Sequence, residues 1–472
     1  MTILGSLENS SHQMADRIAY IFLIAALVFT TLGYGGVHQP IISIYYLLVI
    51  GAGISLAVYS MRTSATVPSR EMLQIPLLGA AAYAFLQLVP FGAVASVAGV
   101  GEIPRTISID QFSTWSSALQ FTAASIFFAG MLVCLNSAKR IRWLFVFLVI
   151  FGFGYSFFAV LQSVLSPTKI YGIYEIAAGA PFGSFVNRNS FAGFLIMILA
   201  LPLGMFFAGR FSKDQLLLLL TAVVLMGSAL LLCDSRGGFV AFISELILIV
   251  FLTRNGRSRR DVVIRGILVL MLVAAIAAGA AFVGGDTSFN RFIETASSDD
   301  FSTSRSQIWL TTLSVINAHL PFGAGFGAFG VAYTPFDVTS GMFRVEQAHN
   351  DYLQVLADAG IPGLLLGILF LYRFVVLGVR SLKIENAFRR GIAVGAFAGG
   401  FGVLVHSLFD FPLHVTAVSL LFLTLLALLS ASQNMYADDS DDDPKPKHRR
   451  KRKTVDRELS SPSGEAMLHR QQ

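Results

Sequence analysis

The chain reads as an all-α polytopic membrane bundle of about 12 transmembrane helices with one large loop outside the bilayer. Three observations carry this. Mean hydropathy is +0.69, and 55% of the 472 residues are hydrophobic against 13% charged, too little charge to coat a water-soluble surface of this size. About a dozen apolar stretches approach the length needed to cross hydrocarbon. Lysine and arginine alternate between rich and poor in successive gaps.

The expected spans run roughly over 18–36, 41–60, 72–92, 116–136, 141–165, 190–208, 215–233, 237–252, 263–284, 353–380, 390–408 and 413–432. Basic residues concentrate at Arg62 and Arg70, at Lys139, Arg140 and Arg142, and at Arg210 and Lys213. They recur at Arg254, Arg257, Arg259, Arg260 and Arg265, and at Arg380, Lys383, Arg389 and Arg390. The intervening gaps are poorer in them, Gly35–Pro40 having none and Asp234–Gly238 only Arg236, which predicts that both termini are cytoplasmic. The expected organisation is a cytoplasmic N-terminus over 1–17, nine helices over 18–284, a large loop over 285–352, three helices over 353–432 and a charged cytoplasmic tail over 433–472.

The tail begins acidic at Asp438–Asp443 and turns basic over His448–Lys453, a pattern expected to be disordered and solvated, and suited to anionic headgroups. The formal charge of +6 resides mostly in cytoplasmic basic residues, so it says nothing about a substrate, and no nucleic-acid partner is expected. Cys134 and Cys233 supply neither a disulfide framework nor zinc spacing. The first apolar run lacks a cleavage site and is expected to be retained. The glycine-rich run 323–330 follows no βαβ pattern, so a nucleotide site is not expected.

Polar residues with chemical potential gather on the non-cytoplasmic side. Ser302–His319 is expected to form an amphipathic helix, with Ile308, Leu313 and Ile316 at helical spacing and Ser302 or Ser304 as its cap. After Pro321 the glycines predict a pliable stretch to about Phe336. A helix is expected from near Asn350, breaking around Gly360–Gly363, with His349 at its first turn. Arg236 lies between two apolar helices and cannot lose its proton, so it needs an anion, lipid headgroups or Asp234 as partner. A phosphate suits its planar fork, with Gly237 and Gly238 allowing close approach. Arg305 and Arg188 are otherwise solvated loop arginines, and Asn187 or Asn189 can cap the helix beside Arg188. His349 is either a capping residue or a general base near neutral pH. His406, Asp410 and His414 form a polar patch; a metal site from them would lack a fourth ligand. Glu245 stands alone inside the eighth span.

In order along 140–430, four segments resemble the O-antigen ligase / O-antigen polymerase superfamily of bacterial membrane glycosyltransferases. They are Phe182-Gly-Ser-Phe-Val-Asn-Arg-Asn-Ser-Phe-Ala192, Asp234-Ser-Arg-Gly-Gly238, Arg305-Ser-Gln-Ile-Trp309 with Pro321-Phe-Gly-Ala-Gly325, and His349-Asn-Asp-Tyr-Leu353 with Gly360 beyond. The resemblance implies a periplasmic loop and transfer of an undecaprenyl-pyrophosphate-linked glycan to lipid A–core or to another lipid-linked repeat unit, without metal, nucleotide or other cofactor. It implies that Arg236 and Arg305, with Arg188, hold the pyrophosphate and that His349 deprotonates the acceptor hydroxyl for inverting attack. Asn189, Asn350, Asp351 and Asp410 would support them. Membrane lipids and polysaccharide assembly proteins are the other expected partners, in the bacterial inner membrane. His406–His414 departs from the ligase pattern and favours a polymerase or exopolysaccharide enzyme. A transporter or flippase of lipid-linked glycans is the rival, but its ionisable residues would lie near the bilayer midplane instead of at one face.

Overall fold

Hydrocarbon leaves a crossing segment no partner but itself for its backbone hydrogen bonds, so helices are required, and helices are found. The structure, a computed structural model, describes residues 3–63, 71–94, 103–176, 180–208, 213–253, 266–281, 300–338 and 344–434. In chain order α1 (Ile3–Leu32), α2 (Gln39–Thr63), α3 (Gln74–Leu86), α4 (Gln111–Cys134) and α5 (Ala138–Leu165) come first. There follow α6 (Arg188–Ala208), α7 (Lys213–Leu232), α8 (Arg236–Leu252) and α9 (Gly266–Ala281). Two loop helices, α10 (Asp300–His319) and α11 (Phe329–Tyr333), precede α12 (Asp351–Ser381), α13 (Ala387–His406) and α14 (Thr416–Asn434). Among the described residues, strands are confined to two short antiparallel pairs, Ala93–Val94 with Ile103–Pro104 and Lys169–Ile170 with Tyr174–Glu175.

Nine of these helices, among the described residues, are long and apolar enough to cross a membrane. The three other expected spans are present as the shorter helices α3, α8 and α9. At 1.5 Å per residue α3 covers only about 20 Å. It stops where Gln87 folds its side chain into a neighbouring loop. The basic loops at 64–70, 209–212 and 254–265, the side chains of Ser302 and Ser304, and the charged tail from 435 lie outside the described residues.

At the centre stand α6 and α14, buried along almost their whole length, with α13 between them and α8; α2 faces outward through Leu47, Ile50 and Ile54. Apolar burial drives little inside lipid, so close backbone approach has to hold such helices together. Gly391, Gly395 and Gly399 repeat every four residues on α13 and face α6. A Cβ on Gly395 would fall 2.7 Å from the Ala200 carbonyl oxygen, and one on Gly204 would fall 2.4 Å from the Gly395 nitrogen. Glu245 on α8 is fully buried beside Gly402 of α13, with neither carboxyl oxygen hydrogen bonded among the described residues.

The glycine-rich stretch after α10 is threaded into the break of α12. Gly360 has φ +57°, and a Cβ there would meet the Pro321 carbonyl oxygen at 2.2 Å. Ile361 N donates to Pro321 O at 2.9 Å, while Ala324 N and Gly325 N donate to the carbonyls of Ala357 and Asp358, both at 2.9 Å. Gln87 clamps the same stretch: its amide nitrogen donates to Phe322 O (3.2 Å) and Asp358 O (3.0 Å), and its carbonyl oxygen accepts from Phe326 N (3.0 Å). The glycines serve close contact, and the side-chain amide satisfies backbone groups that the broken helix leaves open.

The α6–α13 contact makes a direct prediction. Gly395→Ala forces a methyl into backbone and is expected to lower stability by about 1–3 kcal/mol. Gly154→Ala, whose Cβ meets nothing within 4 Å, should leave it unchanged. Thermal unfolding in detergent distinguishes them; equal melting temperatures would refute the tight contact.

Candidate active site

Three helices begin around one small volume. Asn187 Oδ1 accepts from Asn189 N at 2.8 Å at the start of α6. Ser235 Oγ accepts from Gly238 N at 3.2 Å to cap α8, and Asn350 Oδ1 accepts from Tyr352 N (3.0 Å) and Leu353 N (3.1 Å) to cap α12. Each start contributes the positive end of a helix dipole, which favours anions. Immediately before two of the caps, Asp234 (φ 53°) and His349 (φ 50°) hold left-handed backbone that non-glycine residues seldom adopt. Such residues cost of order 1–3 kcal/mol and gather at functional sites.

Between these helix starts lies a cleft of about 30 Å³ lined by Arg188, Asn189, Asp234, Arg236, Gly237, Arg305, His406 and Asp410. That space holds roughly one water, so a phosphate would have to part the side chains. Three guanidinium groups face two carboxylates. Asp234 is engaged by Arg188, Nη1 to Oδ2 at 2.8 Å, so the expected alternative of an Arg236–Asp234 pair gives way to an Arg188–Asp234 pair.

Asp410 is the hub. Its Oδ2 accepts from Asn189 Nδ2 and from Arg305 Nη2 (3.2 Å), and its Oδ1 accepts from Phe411 N (2.9 Å). His349 Nδ1 stands 3.4 Å from the same Oδ1, a long approach that a small ring movement would tighten. Arg305 Nη1 donates to the Phe409 carbonyl, so α10 is fastened to the turn after α13. Burial alone would raise the Asp410 carboxyl. The close His349 ring and the Arg305 charge outweigh it and hold the group below the ordinary aspartate value of 3.8. Burial lowers the Arg305 guanidinium, and the nearby charge of Arg236 adds to this, against the pull of Asp410. A guanidinium remains charged through such a shift.

The start of α12 is pinned to the same turn. Asp351 Oδ2 accepts from Ser407 Oγ at 2.6 Å, Asp351 N donates to Ser407 O at 2.9 Å, and Asn350 Nδ2 donates to Leu408 O at 3.0 Å. Asp351 Oδ1 lies 2.7 Å from His414 Nδ1. Burial would depress that imidazole, but Asp351 overrides it and raises it.

Of the residues singled out in the sequence, Arg188, Asn189, Arg236, Arg305 and Asp410 share the cleft, and His349 joins through Asp410. Asn350 and Asp351 do not line it; they fix the helix that presents His349. His406 and Asp410 share the cleft, while His414 stands apart and pairs with Asp351. No group of three or more His, Cys, Asp or Glu among the described residues is placed to hold a metal ion. The lining role of His406 was not legible in the sequence. Its ring is buried between Gly193 and Gly237, and neither nitrogen is hydrogen bonded among the described residues. The trace in the chain is an imidazole closing the apolar, glycine-rich run that follows Arg390.

The Asp410 contacts predict a pH-dependent stability. A carboxyl whose folded value is depressed stabilises above its unfolded value and loses that contribution as pH falls through the folded one. Asp410→Asn should therefore cost about 3 kcal/mol at neutral pH by leaving Arg305 without its buried counter-charge. The gap to the unaltered protein should close below pH 3.8. Melting curves across pH test this, and a gap that persists in acid would refute it.

Residues 221–368 match the family model described as O-Antigen ligase. A comparison with curated proteins finds no match. The matched span contains Asp234–Gly238, Arg305 and His349, while Arg188, Asn189, His406 and Asp410 stand outside it and are supplied to the cleft by α6, the end of α13 and the turn after it. The apolar helices and this match make the molecule a multi-pass bacterial membrane protein concerned with polysaccharide biosynthesis. Over residues 221–368 the chain is similar to the O-antigen ligase family, a match that supports the O-antigen ligase/polymerase reading.

Proposed function

We propose that the protein transfers a glycan from undecaprenyl pyrophosphate to a sugar hydroxyl at the periplasmic face of the bacterial inner membrane, as an O-antigen ligase or polymerase-type enzyme. The observation that carries the reading is the convergence of Arg188, Arg236 and Arg305 with an Asp410-backed His349 at three helix starts. The family supports a lipid-linked donor and a glycan acceptor in general terms.

Arg236 and Arg305 would hold the pyrophosphate by bidentate contacts, and Arg188 would join them when the phosphate competes for it with Asp234. His349, with Nδ1 turned to Asp410, would use Nε2 to take the proton from the acceptor hydroxyl. The acceptor oxygen then forms its bond to the anomeric carbon as the carbon–oxygen bond to the pyrophosphate breaks on the opposite face, which inverts the configuration. Asp410 steadies the imidazolium that results, as the carboxylate does in a Ser-His-Asp triad. Charge developing on the leaving pyrophosphate falls on fixed guanidinium groups, so the step requires no divalent ion. Asn189, Asn350 and Asp351 would keep Asp410 and His349 in place.

In a reconstituted transfer assay with lipid-linked glycan, His349→Ala should abolish product while leaving the melting temperature close to that of the unaltered protein. Retained transfer would refute the base assignment. Arg305→Lys keeps the charge but loses the fork, and should lower kcat/KM by about 10²–10³, the scale of removing one transition-state donor. A chelator should leave the rate unchanged; loss of activity with EDTA and its return with a divalent cation would overturn the metal-independent mechanism.

A further inference from the structure

Asp351, which does not reach the arginine cleft, lines a second, much larger cavity of about 340 Å³. That volume falls within the range of small-molecule sites, and the lining has the same character, mostly apolar with a few placed polar groups. The cavity runs between α4 and α14, from Ser117 and Thr416 at the end nearest the site to Ala124 and Leu423 deeper in the bundle. Seven residues of helical rise on either wall make it about 10 Å long. Its deep end is apolar and aromatic, with Tyr45, Leu77, Phe370 and Phe422. Its shallow end carries Ser117, Gln120, Gln354, Asp358 and His414.

Asp358 points to a ligand. It is 3% exposed; its Oδ2 accepts from Gly327 N (3.1 Å) and Gln354 Nε2 (3.4 Å), yet its Oδ1 is buried with no hydrogen bond among the described residues. A buried carboxyl oxygen without a donor is rare and calls for one. No lysine or arginine is among the described residues lining the cavity, which disfavours a phosphate head. The polar end mixes donors and acceptors. An ammonium only donates and a phosphate chiefly accepts, whereas hydroxyls do both. We infer that this cavity binds an uncharged, hydroxyl-headed amphiphile, its hydroxyls at Asp358 and Gln120 and one alkyl chain among Tyr45, Leu77, Phe370 and Leu423. It is separate from the anion-seeking cleft, with which it shares no lining residue.

The test uses the full-length protein in phosphatidylcholine nanodiscs and an alkyl glucoside carrying a diazirine at the chain end. Photolabelling should map to the cavity stretches of α3, α4, α12 or α14, saturate, and be displaced by octyl glucoside but not by phosphatidylglycerol. Ala124→Phe fills the apolar end and should remove the label. Asp358→Asn should weaken half-maximal labelling about tenfold, the effect of one hydrogen bond to a charged group. Should the phenylalanine variant fail to fold, the asparagine variant alone decides. Absent labelling, equal displacement by phosphatidylglycerol, or labelling indifferent to Asp358→Asn in the folded variant would overturn the inference. Because the readout is binding, loss of the proposed transfer reaction would leave this result standing, and the reverse.

Discussion

The arrangement depends on one carboxylate. Asp410 sits in the turn between α13 and α14, 4% exposed in its side chain, and reaches side chains from three distant parts of the chain: Asn189 on α6, Arg305 on α10 and His349 before α12. A buried charge demands partners, and these satisfy it while each is fixed in turn. Removing the carboxylate would release the loop helix that carries Arg305 and the imidazole together. The turn itself is held by Ser407 and Leu408 against Asp351 and Asn350, so the hub and the start of α12 stabilise one another.

Glycine makes the frame in which this hub can exist. On α13 the stripe Gly391, Gly395 and Gly399 brings α6 close enough for their backbones to touch, which carries the starts of α6 and α8 to the end of α13. At the break of α12, Gly360 and Gly323 allow two backbone segments to pass where any side chain would collide. These two uses differ. The first supplies packing in lipid, where apolar burial gives no preference between helix and solvent. The second lets loop carbonyls and amides pair inside the protein instead of facing hydrocarbon.

Between the cleft and the cavity the chemistry reverses. On one side guanidinium groups and helix starts gather positive potential; on the other, carboxyl and amide groups cap an apolar cavity. Asp351 lines the second, while His349, two residues before it, approaches Asp410 of the first. A single helix start thus sorts two environments, one suited to an anion and one suited to neutral hydroxyls.

By itself the sequence determined that the chain is an all-helical membrane protein, because hydropathy over a span is a local sum that needs no partner. It also located the break at Gly360, the helix start near Asn350 and a helix before Pro321, since such signals act within a turn or two; the expected apolar face of that last helix gave way, with Leu313 exposed and Thr311 and Thr312 buried. It marked Arg188, Arg236, Arg305, His349 and Asp410 as residues in need of explanation. Only the tertiary structure decided their partners. Asp234 pairs with Arg188 and not with Arg236 two residues away; His414 pairs with Asp351, and His406 turns into the arginine cleft. Gln87 and Asp358, silent in the chain, became respectively the clamp of the glycine stretch and the unsatisfied acceptor of the cavity. The physical reason is range: hydrophobic and capping preferences are written in neighbouring residues, whereas the partner of a buried charge is chosen by which helices the packing brings within about 3 Å.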